Sequence, residues 1–124
     1  MNVVDSSAWL EYFADGPNAG TFAKPIEAVR ELVVPTLSLF EVFKRVASQR
    51  SEEDALRAIA HMEQGVVVDL DRAVALDAAR ISLELKLPMA DSIILATAQA
   101  HKATLWTQDA DFSGLPGVRY VVKR

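Results

Sequence analysis

The chain contains no cysteine. That absence excludes a disulfide framework, a thiolate nucleophile and any cysteine-held zinc or iron–sulfur centre, and it fits a reducing cytoplasm. Histidine is nearly absent as well. His61 and His101 are the only two, too few and too far apart for a histidine-rich metal site. No apolar run approaches the ~20 residues of a membrane span. The opening Met1-Asn2-Val3-Val4-Asp5 has no basic segment ahead of an apolar one, so it does not read as a signal peptide. No repeat, low-complexity stretch or Pro/Gly-rich linker divides the 124 residues, which read as a single domain, 1–124. Positive charge is in deficit: 13 Lys and Arg face 17 Asp and Glu, a net −4. A protein that holds nucleic acid through its overall field is basic. A nucleic-acid partner here needs a local basic patch or bound cations, whereas the acidic balance itself suits a basic partner, metal ions or plain solubility. What is present in quantity is apolar surface, 51% of residues, enough for a packed core and against wholesale disorder.

The apolar residues come in short unalternating runs separated by helical spacing. Asn2 to Asp5, Leu32 to Pro35, Val66 to Val68, Thr104 to Thr107 and Val118 to Val122 read as strands. Between them, helices are predicted over Ser6–Ala14, Ala19–Glu31 with a kink near Pro25, Leu37–Gln49, Ser51 to about Gly65, Asp71 to about Lys86, and Ala90–Lys102. Leu87-Pro88 breaks the last two apart, and Gln108 to Phe112 forms a tight loop. Continuous apolar strands alternating with helices imply a mainly parallel five-stranded sheet covered on both faces, an α/β/α three-layer domain. Ligands of such sheets sit beyond the carboxyl ends of the strands, near a topological switch point.

Four carboxylates are placed to reach that edge. Asp5 ends the first strand, Asp109 follows the fourth, Glu41 lies early in the helix after the second, and Asp91 lies in the first turn of the helix before the fourth. Carboxylates converging in one crevice repel and push one another's pKa upward. A divalent cation relieves that conflict, and magnesium takes oxygen ligands from several elements while keeping waters. Such an ion acidifies a water and polarises a phosphate, which suits phosphodiester hydrolysis without histidine or cysteine. Each carboxylate also has an ordinary explanation. Asp5 caps a helix, Glu41 completes the capping-box pattern Ser38-x-x-Glu41, Asp91 complements a helix N-terminus, and Asp109 and Asp111 are loop residues. Spacing alone leaves both accounts open.

Four segments, in order, resemble the motifs of PIN-domain ribonucleases, and most of all the VapC toxins of toxin–antitoxin pairs. They are Val3-Val4-Asp5-Ser6-Ser7-Ala8, Pro35-Thr36-Leu37-Ser38-Leu39-Phe40-Glu41-Val42, Ala90-Asp91-Ser92-Ile93-Ile94-Leu95-Ala96-Thr97-Ala98, and Leu105-Trp106-Thr107-Gln108-Asp109-Ala110-Asp111-Phe112. The resemblance covers nearly the whole chain and implies a PIN-like fold and a metal-dependent endoribonuclease. It matches Asp5, Glu41, Asp91 and Asp109 to the family's acidic quartet. It implies Asp5, Asp91 and Asp109 as ligands of Mg²⁺ or Mn²⁺, and Glu41 as the group that positions or deprotonates the attacking water. Asp111 matches a common acidic position of the last motif. Ser6 and Thr107 match hydroxyl residues that flank the site, there to steady carboxylates or touch substrate. It also implies an RNA substrate, transfer RNA among the options, a homodimer, and a cognate antitoxin that blocks the acidic crevice with an Arg or Lys.

Lys44 and Arg45 follow Glu41 on the same helical face, where they serve either RNA phosphates or surface ion pairs. Arg50, Arg72 and Arg80 are further rim candidates. Trp106 reads as core. Trp9 is divided evenly between core and base stacking, His101 reads as complementing a helix dipole, and His61 reads as an exposed helical residue. Phe13, Phe22, Phe40 and Phe43 are expected to cover the early helices, as core or as an apolar patch for an antitoxin helix or a second protomer. Two other readings compete. A receiver-type phosphoacceptor module shares the length, with Asp69 as acceptor, but Asp5 is unpaired and no lysine is suitably placed after a fifth strand. A PIN-like interaction module without catalysis is the other.

Overall fold

The computed structural model describes all 124 residues. Five strands, β1 (Asn2–Val4), β2 (Leu32–Pro35), β3 (Val66–Val68), β4 (Thr104–Thr107) and β5 (Val118–Tyr120), form one sheet in the order β3-β2-β1-β4-β5. Every pairing is parallel, with Val3 opposite Val33 on one side and Leu105 on the other. Six helices link them: α1 (Ser6–Phe13), α2 (Ala19–Glu27), α3 (Thr36–Gln49), α4 (Glu52–Met62), α5 (Arg72–Leu85) and α6 (Met89–Ala100). The chain steps outward from β1 through β2 to β3, then crosses back over α5 and α6 to place β4 on the other side of β1. The switch point therefore lies between β1 and β4. This order overturns the receiver reading, whose sheet runs 2-1-3-4-5 with the third strand beside the first. Here β3 is an edge strand, and Asp69 stands exposed beyond it.

Alternation within the strands builds two cores. Val3, Val33 and Leu105 face α5 and α6 in a cluster with Val74, Ile81, Ile94 and Phe112. Val4, Leu32, Val34 and Trp106 face the opposite way, with Trp9, Phe22, Ile26 and Met62. The result is the expected three-layer α/β/α architecture. Helix ends follow local chemistry. The Asp71 carboxylate accepts from the Val74 N–H at 2.8 Å, Ser51 does the same for Asp54 at 3.1 Å, and Lys86 closes α5 in the left-handed region.

The structure moves several expected boundaries. Pro25 is accommodated in α2, but the helix stops at Glu27, and Val29–Glu31 forms a separate 3-10 turn. The loop after β4 winds into a 3-10 turn over Ala110–Phe112. Trp9 is fully buried against Phe13, at 5.6 Å between ring centroids, so it is core and not a stacking platform. His61 is not exposed. It is half-buried edge-on against Trp9, Tyr12 and Phe13. The expected phenylalanine patch divides as well. Phe22 is core, Phe13 joins that aromatic group, and Phe40 and Phe43 line an apolar groove with Leu39, Ala47 and Ile59.

Gly65 carries a steric demand at the entry to β3. A Cβ there would lie 2.9 Å from Val34 Cγ2 and 3.0 Å from the Leu32 carbonyl oxygen. Gly65→Ala must push β3 off β2, at a cost of about 1–3 kcal/mol. Urea denaturation should show a lower midpoint at unchanged slope. An unchanged midpoint would mean that the sheet edge yields without strain.

Candidate functional site

The parallel sheet delivers the carboxylates to one edge. Asp5 follows β1, and its N–H still donates to the Trp106 carbonyl on β4, so the two strand ends are stitched together there. Asp5 is also the N-cap of α1, its Oδ1 accepting from Ala8 N–H at 3.3 Å and from the Ser7 hydroxyl at 2.8 Å. The capping account of Asp5 is therefore correct, yet it does not exhaust the residue, which is only 4% exposed. Burial pushes its pKa up to about 6. The hydrogen bonds from Ser7, Ala8 and Thr107 resist that rise, and the charge of Asp109 adds to it.

Asp91 shows the convergence most directly. It sits in the first turn of α6, half-buried. Burial raises its pKa to about 7, helped in order by the charges of Asp109, Asp5, Asp111 and Glu41. All five carboxylates therefore share one electrostatic neighbourhood. One oxygen each of Asp91, Asp109 and Asp111 lies within 4.8 Å of the others, close enough for a single ion. Asp111 enters because the 3-10 turn folds it back. Its N–H donates to Asp109 Oδ1 at 2.9 Å, while the Asp109 N–H donates to Thr107 Oγ1 at 2.9 Å. The spacing Asp109-x-Asp111 was the available signal for this third member.

Glu41 does not take part in a capping box. Helix α3 begins at Thr36 after Pro35, and Ser38 lies inside it, buried with its hydroxyl unpartnered. The Glu41 carboxylate instead accepts from the Ser6 hydroxyl at 2.6 Å, across 35 residues of sequence. Ser6 therefore steadies Glu41. Thr107 is fully buried, so it braces Asp5 and Asp109 from behind and cannot touch a substrate. Lys44 and Arg45 are exposed and line a crevice of about 640 Å³ together with Ser6 and Glu41. Arg50 lines a different cavity, beside Phe13 and His61, and Arg80 pairs with Asp77 at 2.8 Å on α5.

No cation of the protein neutralises the acidic group. The ion pairs of the chain are Arg57 with Glu53 and Asp54, and Arg80 with Asp77, all on helix surfaces. A cluster of hard oxygen donors with pKa values held up by burial and mutual repulsion, and with no ammonium or guanidinium among them, fits Mg²⁺ or Mn²⁺.

The PIN domain family model matches residues 3–118. No curated protein sequence matches the chain. Among solved structures, a toxin–antitoxin complex from Klebsiella pneumoniae shares 25% identity over 96% of each chain, with a TM-score of 0.80. The VapC20 toxin of Mycobacterium tuberculosis, which cleaves the sarcin–ricin loop, shares 15% identity, covers 94% of this chain and 95% of its own, and has a TM-score of 0.78. A DNA-bound VapBC complex from Salmonella typhimurium shares 16% identity over 98% of each chain, with a TM-score of 0.75. The last two likenesses are of fold.

Proposed function

The chain belongs to the PIN domain family, and on that premise we propose that it is a Mg²⁺- or Mn²⁺-dependent endoribonuclease, the toxin of a toxin–antitoxin pair. The observation that carries the reading is the approach of one oxygen each of Asp91, Asp109 and Asp111 to within 4.8 Å with no compensating cation, a crowding that also raises the pKa of Asp91. In this reading Asp91, Asp109 and Asp111 hold the ion, and Asp5, expected as a ligand but outside that 4.8 Å group, acts on it through its charge beside Asp91 and Asp109. When bound, such an ion supplies Lewis-acid polarisation of the scissile phosphate and acidifies a water. The chain's own contribution is orientation. Ser6 holds Glu41 Oε1, leaving Oε2 free to accept the proton of the attacking water. Thr107 and Ser7 fix Asp5, and Lys44 and Arg45 meet the phosphates flanking the scissile bond.

The partners follow from the same surface. A basic side chain of an antitoxin neutralises the carboxylates as an ion would, which accounts for inhibition by insertion into the crevice. The similarity to a toxin–antitoxin complex supports that partner. A second copy of the chain would cover Leu83 and Met89, which are 84% and 74% exposed on α5 and α6. Structured RNA incubated with the protein and Mn²⁺ should be cut, cutting should stop with excess chelator, and it should resume when Mn²⁺ is restored. Cleavage that continues in chelator would defeat the metal-dependent reading.

A further inference from the structure

Phe40 immediately precedes Glu41, yet its ring is 62% exposed. It lines both the crevice that holds Glu41 and the apolar groove. The Lys44 ammonium sits 5.8 Å from its ring centroid. Lys123 lines the same crevice as Lys44 and Arg45, and none of the three is in an ion pair. Lys123 is held there by two hydrogen bonds of the segment after β5. Val121 N–H donates to the Thr107 carbonyl at 2.8 Å, and the Val122 carbonyl accepts from the buried Asn18 side chain at 3.0 Å.

A chain of net charge −4 thus places three unpaired cations in the crevice that holds Glu11 and Glu41, with an exposed aromatic ring lining it beside them. The charge pattern fits a polyanion whose backbone meets these cations while one phosphate lies beside Glu41. The ring adds a requirement, because stacking needs a base already freed from a duplex. We propose that Phe40 is a stacking platform for one base of a single-stranded RNA segment, with Lys44, Arg45 and Lys123 holding the phosphates on either side of it. This deepens the nuclease reading and rests on it for the identity of the polymer. A bulged or looped region then presents its scissile phosphate to Glu41 and the aspartates, whereas a continuous A-form duplex leaves Phe40 without a base.

The test separates the platform from the chemistry. Binding is measured in an Asp91→Asn background with fluorescent single-stranded oligoadenylate and with an abasic chain of equal length. Phe40→Leu should weaken oligoadenylate binding by about 5- to 100-fold, and Phe40→Trp should preserve it. On the abasic chain Phe40→Leu should have no effect. Lys123→Ala should weaken binding of both chains and make the salt slope shallower by about 0.7, the share of a single phosphate. Equal oligoadenylate affinity of Phe40→Leu and its parent would overturn the platform, as would an equal loss on the abasic chain. A Phe40 that responds only to a protein partner would appear as the first of these results. Cleavage of RNA by the chain with intact Asp91 is scored separately. Cleavage with no role for Phe40 sinks the platform alone, and Phe40-dependent binding without cleavage sinks the nuclease alone.

Discussion

Asp91→Asn should reduce RNA cleavage by at least about 10²-fold and at the same time make the metal-free protein more stable at pH 8. The two effects have one cause. In the folded chain Asp91 titrates near 7 against an ordinary 3.8, first because it is buried and then because Asp109, Asp5, Asp111 and Glu41 surround it. A carboxyl whose folded pKa exceeds its unfolded one favours folding by proton uptake. That contribution is full below about pH 4 and is lost as pH rises through about 7. At pH 8 the ionised group therefore opposes folding, and an amide of the same shape removes the opposition. With solvent screening of this half-buried group allowed for, the gain is about 1 kcal/mol, or a melting temperature higher by about 4 °C. At pH 4 the variant and its parent should melt nearly together. A variant that melts lower than its parent at pH 8 in chelator would show that Asp91 stabilises the fold and is not a strained ligand.

Divalent metal should produce the mirror image. Mn²⁺ at about a hundred times its dissociation constant adds about 2.7 kcal/mol, so the melting temperature at pH 8 should rise by about 10 °C. Protons compete for the same oxygens, so at pH 5.5, below the values near 7 and 6 for Asp91 and Asp5, the rise should shrink sharply. Asp91→Asn should abolish the shift, and Asp111→Asn should weaken it, because Asp111 shares the 4.8 Å cluster with Asp91 and Asp109. Asp77→Asn, whose carboxylate serves Arg80 on the surface, should leave it intact. A shift of equal size in Asp91→Asn would place the ion elsewhere on the protein.

Most of this site could be read from the sequence because a parallel sheet turns position along the chain into position at an edge. Val3-Val4-Asp5 and Leu105-Trp106-Thr107 are short apolar runs that end on polar residues, and both ends point the same way. Once strands and helices alternate, Asp5 and Asp109 have little choice of neighbourhood. What escaped the sequence depends on turns and on which face a helix shows. Asp111 is matched through the family resemblance alone, because the hydrogen bond to Asp109 that brings it in is encoded by no periodicity. Trp9 follows Asp5 by a single helical turn and looks as close to the crevice as Ser6, but α1 packs its Trp9 face onto the sheet and turns Ser6 toward Glu41. His61 is drawn inward by aromatic residues some fifty positions earlier. Lys123 reaches the crevice through hydrogen bonds of its neighbours Val121 and Val122 to Thr107 and Asn18, which join segments with no pattern in common.

The middle strand of the sheet leaves the ribosome before either of its neighbours. Asn2 pairs with Leu32 on one side but must wait for Thr104 on the other. At ordinary translation speeds of 5–20 residues per second that interval is roughly 5–20 s. Throughout it Asp5 has none of its partners from β4, and Asp91 and Asp109 have yet to be synthesised or docked. On the nuclease reading the hydrolytic centre therefore comes into being only once the whole stretch from Asp5 to Asp111 has emerged.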